Sequence, residues 1–185
     1  MATLKTIIYS IALALILICG TSLYAQISIS REYQIKAVFL LNFTQFIEWP
    51  EDAFATTDSP LVIGVLGENP FGTQLKETIA GEKINGHPLA VEYYKKVEDI
   101  NSCHILFVSS SQMPKFEEVV SNLTGKNVLI VDDANNYMHQ GSMIKFFNQS
   151  NKIQFQINPD AIKNTQLTVS SKLLRVAKVV KPKKN

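Results

Sequence analysis

Cysteine is scarce: the 185 residues contain two, Cys19 and Cys103. Residues 1–25 are expected to be a signal peptide that is cut away. That leaves Cys103 alone and excludes an intramolecular disulfide in the mature chain. Cys103 opens an apolar run and is expected to be a small buried hydrophobe. An excess of either charge is also missing. Lys and Arg total 18 against 16 Asp and Glu, a net charge of +2 that falls to +1 when the leader takes Lys5 with it. Phosphate binding needs a concentrated basic face, so nucleic acid is excluded as a general partner. Three histidines, His87, His104 and His139, have no second ligand at metal spacing. The chain has no Walker loop, no three-glycine dinucleotide fingerprint and no Gly-x-Ser-x-Gly elbow. No nucleophile, base and oxyanion donors assemble, so no catalytic residue, cofactor or metal is expected.

Long hydrophobic runs are lacking too. The longest, Ile7 to Ile18, is broken by Tyr9-Ser10 and is short for a membrane span. Lys5 before it and Leu23-Tyr24-Ala25 after it give the layout of a secretory leader cut after Ala25. Residues 26–185 are then expected to form a single domain with a real core.

The most apolar stretch of the remainder runs from Lys36 to Pro50. At helical spacing Phe39, Leu40, Phe43, Phe46 and Ile47 share one broad face. Val38 and Leu41 fall on the other side, mixed with Gln45 and Glu48. A helix from a Ser28 or Ser30 cap to about Glu48 is expected, stopped by Trp49-Pro50. One face should enter the core. The Val38/Leu41 side, with Gln45 and Trp49, is the candidate partner-binding surface.

Beyond this helix, short apolar strands alternate with short helices. Leu61 to Gly67, Leu89 to Tyr94, Cys103 to Val108 and Val128 to Val131 read as buried strands. Helices are expected from Thr73 to Ile79, with Asn69 as cap, and from Pro114 to Asn122, capped by the Ser109–Ser111 run. Asn85-Gly86 marks a hairpin turn. Met143 to Asn148 and Lys152 to Ile157 alternate apolar and polar residues around a turn. The expected fold is α/β: a mainly parallel sheet covered by helices on both faces, with a C-terminal antiparallel hairpin at one edge. Pro159 should start a short helix. A last amphipathic helix is expected over Leu167 to Val180, followed by a basic tail.

Two loops at strand carboxyl ends are candidate ligand sites, because α/β sheets place function there. One runs from Gly67 through Glu68 and Asn69 to Phe71, facing Ser109 and Ser110. The other is Asp132-Asp133. A small ligand of unknown identity there would make the protein a sensor domain.

The landmarks together resemble a known family. Lys36-Ala37-x-Phe39-Leu40-x-Asn42-Phe43, Phe46-x-Glu48-Trp49-Pro50, and Gly64-Val65-Leu66-Gly67-x-Asn69-Pro70-Phe71-Gly72 carry the likeness. It continues through Ile84-Asn85-Gly86-His87-Pro88-Leu89 and Cys103-His104-Ile105-Leu106-Phe107-Val108-Ser109. It closes with Phe155-x-Ile157-Asn158, Ala161, and Ser170-Ser171-x-Leu173-Leu174-x-x-Ala177. Over residues 31 to 180 the chain resembles the YfiR-like family, also called DUF4154. The resemblance implies a periplasmic α/β domain without enzymatic activity. It implies a partner as well, the extracytoplasmic sensor domain of an inner-membrane diguanylate cyclase, held inactive until release raises cyclic di-GMP and favours biofilm. Family members can carry further cysteines that allow disulfides. With Cys103 alone, redox control by an internal disulfide does not carry over. A homodimer is a further expectation, since a helix apolar on two sides can pack on its own copy.

Overall fold

The structure is a computed structural model that describes residues 31–134 and 138–180. The leader and the end of the basic tail lie outside these residues. The first element is α1, residues 31–46. It ends two residues earlier than its apolar pattern suggests. Ile47–Glu48 instead forms β1, which pairs antiparallel with β9, Thr168–Val169.

The central sheet contains β2 (Leu61–Leu66), β4 (His87–Tyr94), β5 (Ile105–Val108), β6 (Leu129–Asp132), β7 (Ile144–Gln149) and β8 (Lys152–Ile157). The short strands β3 (Lys83–Ile84) and β10 (Lys178–Val179) lie at its two edges, and the strand order is β10-β8-β7-β6-β5-β2-β4-β3. From β4 through β7 every pairing is parallel. Numbered among themselves these five strands run 2-1-3-4-5, a doubly wound order whose reversal falls between β2 and β5. The β7–β8 hairpin is antiparallel as expected. It is not the outermost element, because β10 adds outside it, parallel to β8.

Burial follows from position. Every residue of β2, β5 and β6 is buried, which explains their unbroken apolar runs. Both tight turns come from residues that tolerate positive φ. Asn85 (51°) and Gly86 (91°) join β3 to β4, and Ser150 (52°) and Asn151 (59°) join β7 to β8. Gly64, at the centre of β2, has no room for a side chain. A Cβ there would lie 2.6 Å from the Tyr94 ring and 2.8 Å from Cys103 Sγ.

Helices cover both faces. The register puts Phe107, Val131, Ile144, Phe146 and Phe155 on one face. Onto that face α1 inserts Phe39 and Phe43, with ring centroids 5.1–5.8 Å from Phe146 and Phe155. Phe71 meets Phe107 on the same face at 4.8 Å. It precedes α2 (Gln74–Ile79), which buries Leu75 and Ile79. On the opposite face, Ile130 lines a cavity with Val120 and Leu123 of α3 (Phe116–Leu123). The serines before α3 form a 3-10 segment, Ser110–Lys115, rather than capping the helix through their side chains.

The C-terminal expectation needs correction. Residues 167–180 do not form one helix. Thr168–Val169 is strand, α5 spans Ser171–Val176, and the chain turns extended at Ala177 before β10. Ser170 caps α5 through its hydroxyl, as Asn158 caps α4 (Pro159–Ile162). The apolar residues of this stretch therefore serve different neighbours. Leu173 is buried in the core, whereas Val176 is 73% exposed.

Candidate functional site

The site begins with the face of α1 that the sheet does not take. Ala37, Leu40 and Phe43 are fully buried, whereas Ile35 is 40% and Val38 45% exposed. Gln45 is exposed on the same side. Leu41 and Trp49, the other two expected members, are half-buried against the protein's own core. Ile35, at helical spacing from Val38, adds an apolar position that sequence reading missed because the apolar stretch was counted from Lys36. The candidate surface is a stripe along α1, open at Ile35, Val38 and Gln45 and half-covered at Leu41.

A buried ion pair fixes how this stripe is presented. Lys36 is 3% exposed, and its ammonium donates to Asp133 Oδ2 at 2.6 Å. Tyr33 Oη donates to the same oxygen at 2.8 Å. Glu32, one turn before Lys36, supplies a second carboxylate. The ammonium also lies 4.3 Å from the centre of the Tyr33 ring. Burial beside two carboxylates pushes the Tyr33 hydroxyl far above its ordinary range, so it stays protonated and donating. Asp133, the residue just after β6, thus anchors α1 to the sheet.

Asp132, the expected ligand residue beside it, is fully buried. Its carboxylate accepts from the Ser142 hydroxyl and from the Ala134 amide at 3.0 Å. Burial pushes its pKa up, against the pull of these bonds and of nearby Lys145. The two adjacent acids therefore face different neighbours, Asp132 as the last residue of β6 and Asp133 in the segment that leaves it.

The loops at the sheet's reversal point are bonded to each other. Ser111 Oγ accepts from the Glu68 amide at 3.0 Å. A Cβ on Gly67 would lie 2.5 Å from that same oxygen, and Gly67 has φ of +93°. Asn69 does not cap α2. Its Oδ1 accepts from the Phe71 amide at 3.0 Å and its Nδ2 donates to the Gly72 carbonyl. Phe71 and Ser109 are buried, and Ser110 is exposed. The structure brings Gly67, Glu68 and Ser109 to one end of the sheet, with Asp132 further along that end.

Trp49 leads into an aromatic stack at the other end. Its ring meets His104 edge-on at 6.0 Å, and its Nε1 is buried with no hydrogen-bond partner among the described residues. Phe54 lies flat between His87 (3.8 Å) and His104 (4.5 Å). His104 Nδ1 accepts from the Val62 amide, so its proton sits on Nε2, which faces the Ala53 carbonyl. Burial lowers the His104 pKa below its ordinary value, helped by neighbouring His87 and opposed by that carbonyl. The ring is therefore neutral in the fold. Its stability contribution is complete above the unfolded value of about 6.5 and falls as pH drops below it. Urea unfolding of the native protein from pH 7.5 down to 5 should show this loss. His104→Asn, which keeps an acceptor for Val62, should flatten that part of the slope.

Cys103 is buried, and its thiol is pushed up to about 12, chiefly by burial. Among the described residues no three His, Cys, Asp or Glu side chains cluster to hold a metal ion. None of the described helices is long and apolar enough to cross a membrane.

A mostly parallel, doubly wound sheet with helices on both faces and a short separate antiparallel pair defines a mixed α/β protein. The chain belongs to the DUF4154 family, described as YfiR/HmsC-like, whose model matches residues 33–178. A search of curated proteins gives no match.

Proposed function

We propose that this chain is a periplasmic, non-enzymatic signalling protein that binds and represses the extracytoplasmic sensor domain of an inner-membrane diguanylate cyclase. Membership of the YfiR/HmsC-like family supports this reading. The single structural observation behind the docking surface is the stripe of Ile35, Val38 and Gln45, flanked by half-buried Leu41 and Trp49. Burying exposed apolar area on a partner is favourable by roughly 25 cal/mol per Å². The ion pair under Lys36 pre-sets the helix, which reduces the ordering cost of docking. Repression then requires only that the stripe bind one state of the sensor better than the other. A shift from 1:99 to 99:1 needs about 5.5 kcal/mol of differential affinity.

A binding assay between the mature protein and the purified sensor domain of a membrane cyclase tests the proposal. Val38→Asp and Ile35→Asp each put a charge at an exposed position and should leave folding intact. Each is expected to weaken capture at least tenfold, and deletion of the gene should raise cyclic di-GMP. Unaltered capture by both variants would remove the stripe from the interface. Unaltered cyclic di-GMP on deletion would remove the cyclase. If the charges instead disperse a self-associated form, the stripe serves a homodimer.

A further inference from the structure

We infer that the groove between α3 and α4 is a binding site for a small amphipathic amine, with an apolar body and a cationic head. The inference rests on this groove alone and is independent of docking through α1. The register places Ile130 on the sheet face away from α1, and a cavity of about 890 Å³ opens there. That volume lies within the roughly 300–1,000 Å³ typical of small-molecule sites. Its apolar walls come from separate elements: Val120 and Leu123 of α3, Ile130 of β6, and Met143 just before β7. The Met143 sulfur accepts from the Ile130 amide at 3.5 Å, and the methyl beyond it is the part of this side chain offered to an apolar guest.

Two features show that the walls are held in place. Gly141 has φ of +89°, and a Cβ there would sit 2.5 Å from a Val120 methyl, so this loop lies directly on α3. Asn158, 2% exposed, accepts from the Ala161 amide at 3.3 Å and fixes the start of α4. A groove whose walls are already positioned spends little binding energy on ordering.

Charge decides the class of guest. Among the described residues the lining includes two carboxylates, Glu117 and Asp160, and no lysine or arginine. Asp160 pairs with Lys163 at 3.2 Å, but both side chains are well exposed, at 46% and 75%. Such a pair is weak, so a bound ammonium can compete for the carboxylate. An anionic guest of the same shape would find no cation among the described lining residues.

Hexylamine and hexanoate are matched probes for the mature protein. Titration of hexylamine should shift the Met143 methyl resonance saturably, with hexanoate at least tenfold weaker. Ala161→Phe should abolish the saturable shift by filling the groove from α4. Ser121→Trp, at an exposed position on α3, should do the same from the other wall, which guards against a misfolded first variant. Glu117→Gln with Asp160→Asn should erase the preference for the amine while keeping a weak apolar interaction. Absence of a saturable Met143 shift with hexylamine, equal response to hexanoate, or persistence of the shift in both groove-filling variants would each overturn the inference.

Discussion

Asp133→Ala is expected to cost about 3–5 kcal/mol of stability, because it leaves a buried ammonium without its main partner. Lys36 is almost fully enclosed and its bond to Asp133 is 2.6 Å long. Alanine would also strip the Tyr33 hydroxyl of its acceptor. Glu32 remains, but its side chain is 35% exposed and cannot make up the loss. Lys36→Met should be costly for the mirror reason, since it leaves the buried Asp133 carboxylate with the Tyr33 hydroxyl and the field of Lys145 but without its ammonium partner. The double variant removes both charges, so its loss should fall well short of the sum of the two single losses. Urea unfolding at unchanged m value measures all three. Additive losses would show that the pair does not couple α1 to β6. Because the tie spans 97 residues of chain, its rupture should also loosen the outward stripe.

Phe43→Ala is the second large effect, at about 3–5 kcal/mol. Phe43 is wholly buried and contacts the rings of Phe39, Phe146 and Phe155. Truncation would open a cavity among three rings, two of them, Phe146 and Phe155, positioned by the β7–β8 pairing. Val38→Ala, five residues earlier on the other side of the same helix, should change stability by no more than about 0.5 kcal/mol. The contrast separates the two faces of α1 in one experiment. If Val38→Ala matched Phe43→Ala in stability loss, the outward face would be part of the core and not a docking surface.

The strands were legible because a strand buried on both faces has a continuous apolar run, and Leu61 to Leu66 and Ile105 to Val108 show it plainly. The β7–β8 hairpin was legible through its alternation. The two-residue strands were not, since β1, β9 and β10 are too short to carry any period. Their absence from the sequence reading produced both boundary errors. Ile47 continues the apolar spacing of α1 yet pairs with Val169, and the 167–180 region reads as amphipathic although it is strand, helix and strand. In the candidate site, helical spacing was enough to place Val38 and Gln45 outward. It could not show that Leu41 and Trp49 rest partly on the core, because their covering residues come from elsewhere in the chain. The Lys36–Asp133 bond was equally hidden. A lysine inside an apolar stretch, with Glu32 four residues before it, was the one available signal that its charge is used internally.

The aromatic seat of α1 also constrains the order of assembly. The rings that receive Phe39 and Phe43 sit on β7 and β8, and the tie from Tyr33 to Asp133 crosses 100 residues. Closing so long a loop is entropically slow, and contacts of this separation form late in folding. Of the described elements α1 comes first in the chain, and the strand rings that receive it come more than 100 residues later. Until the β7–β8 hairpin has been made, Phe39 and Phe43 lack the rings that cover them in the finished fold.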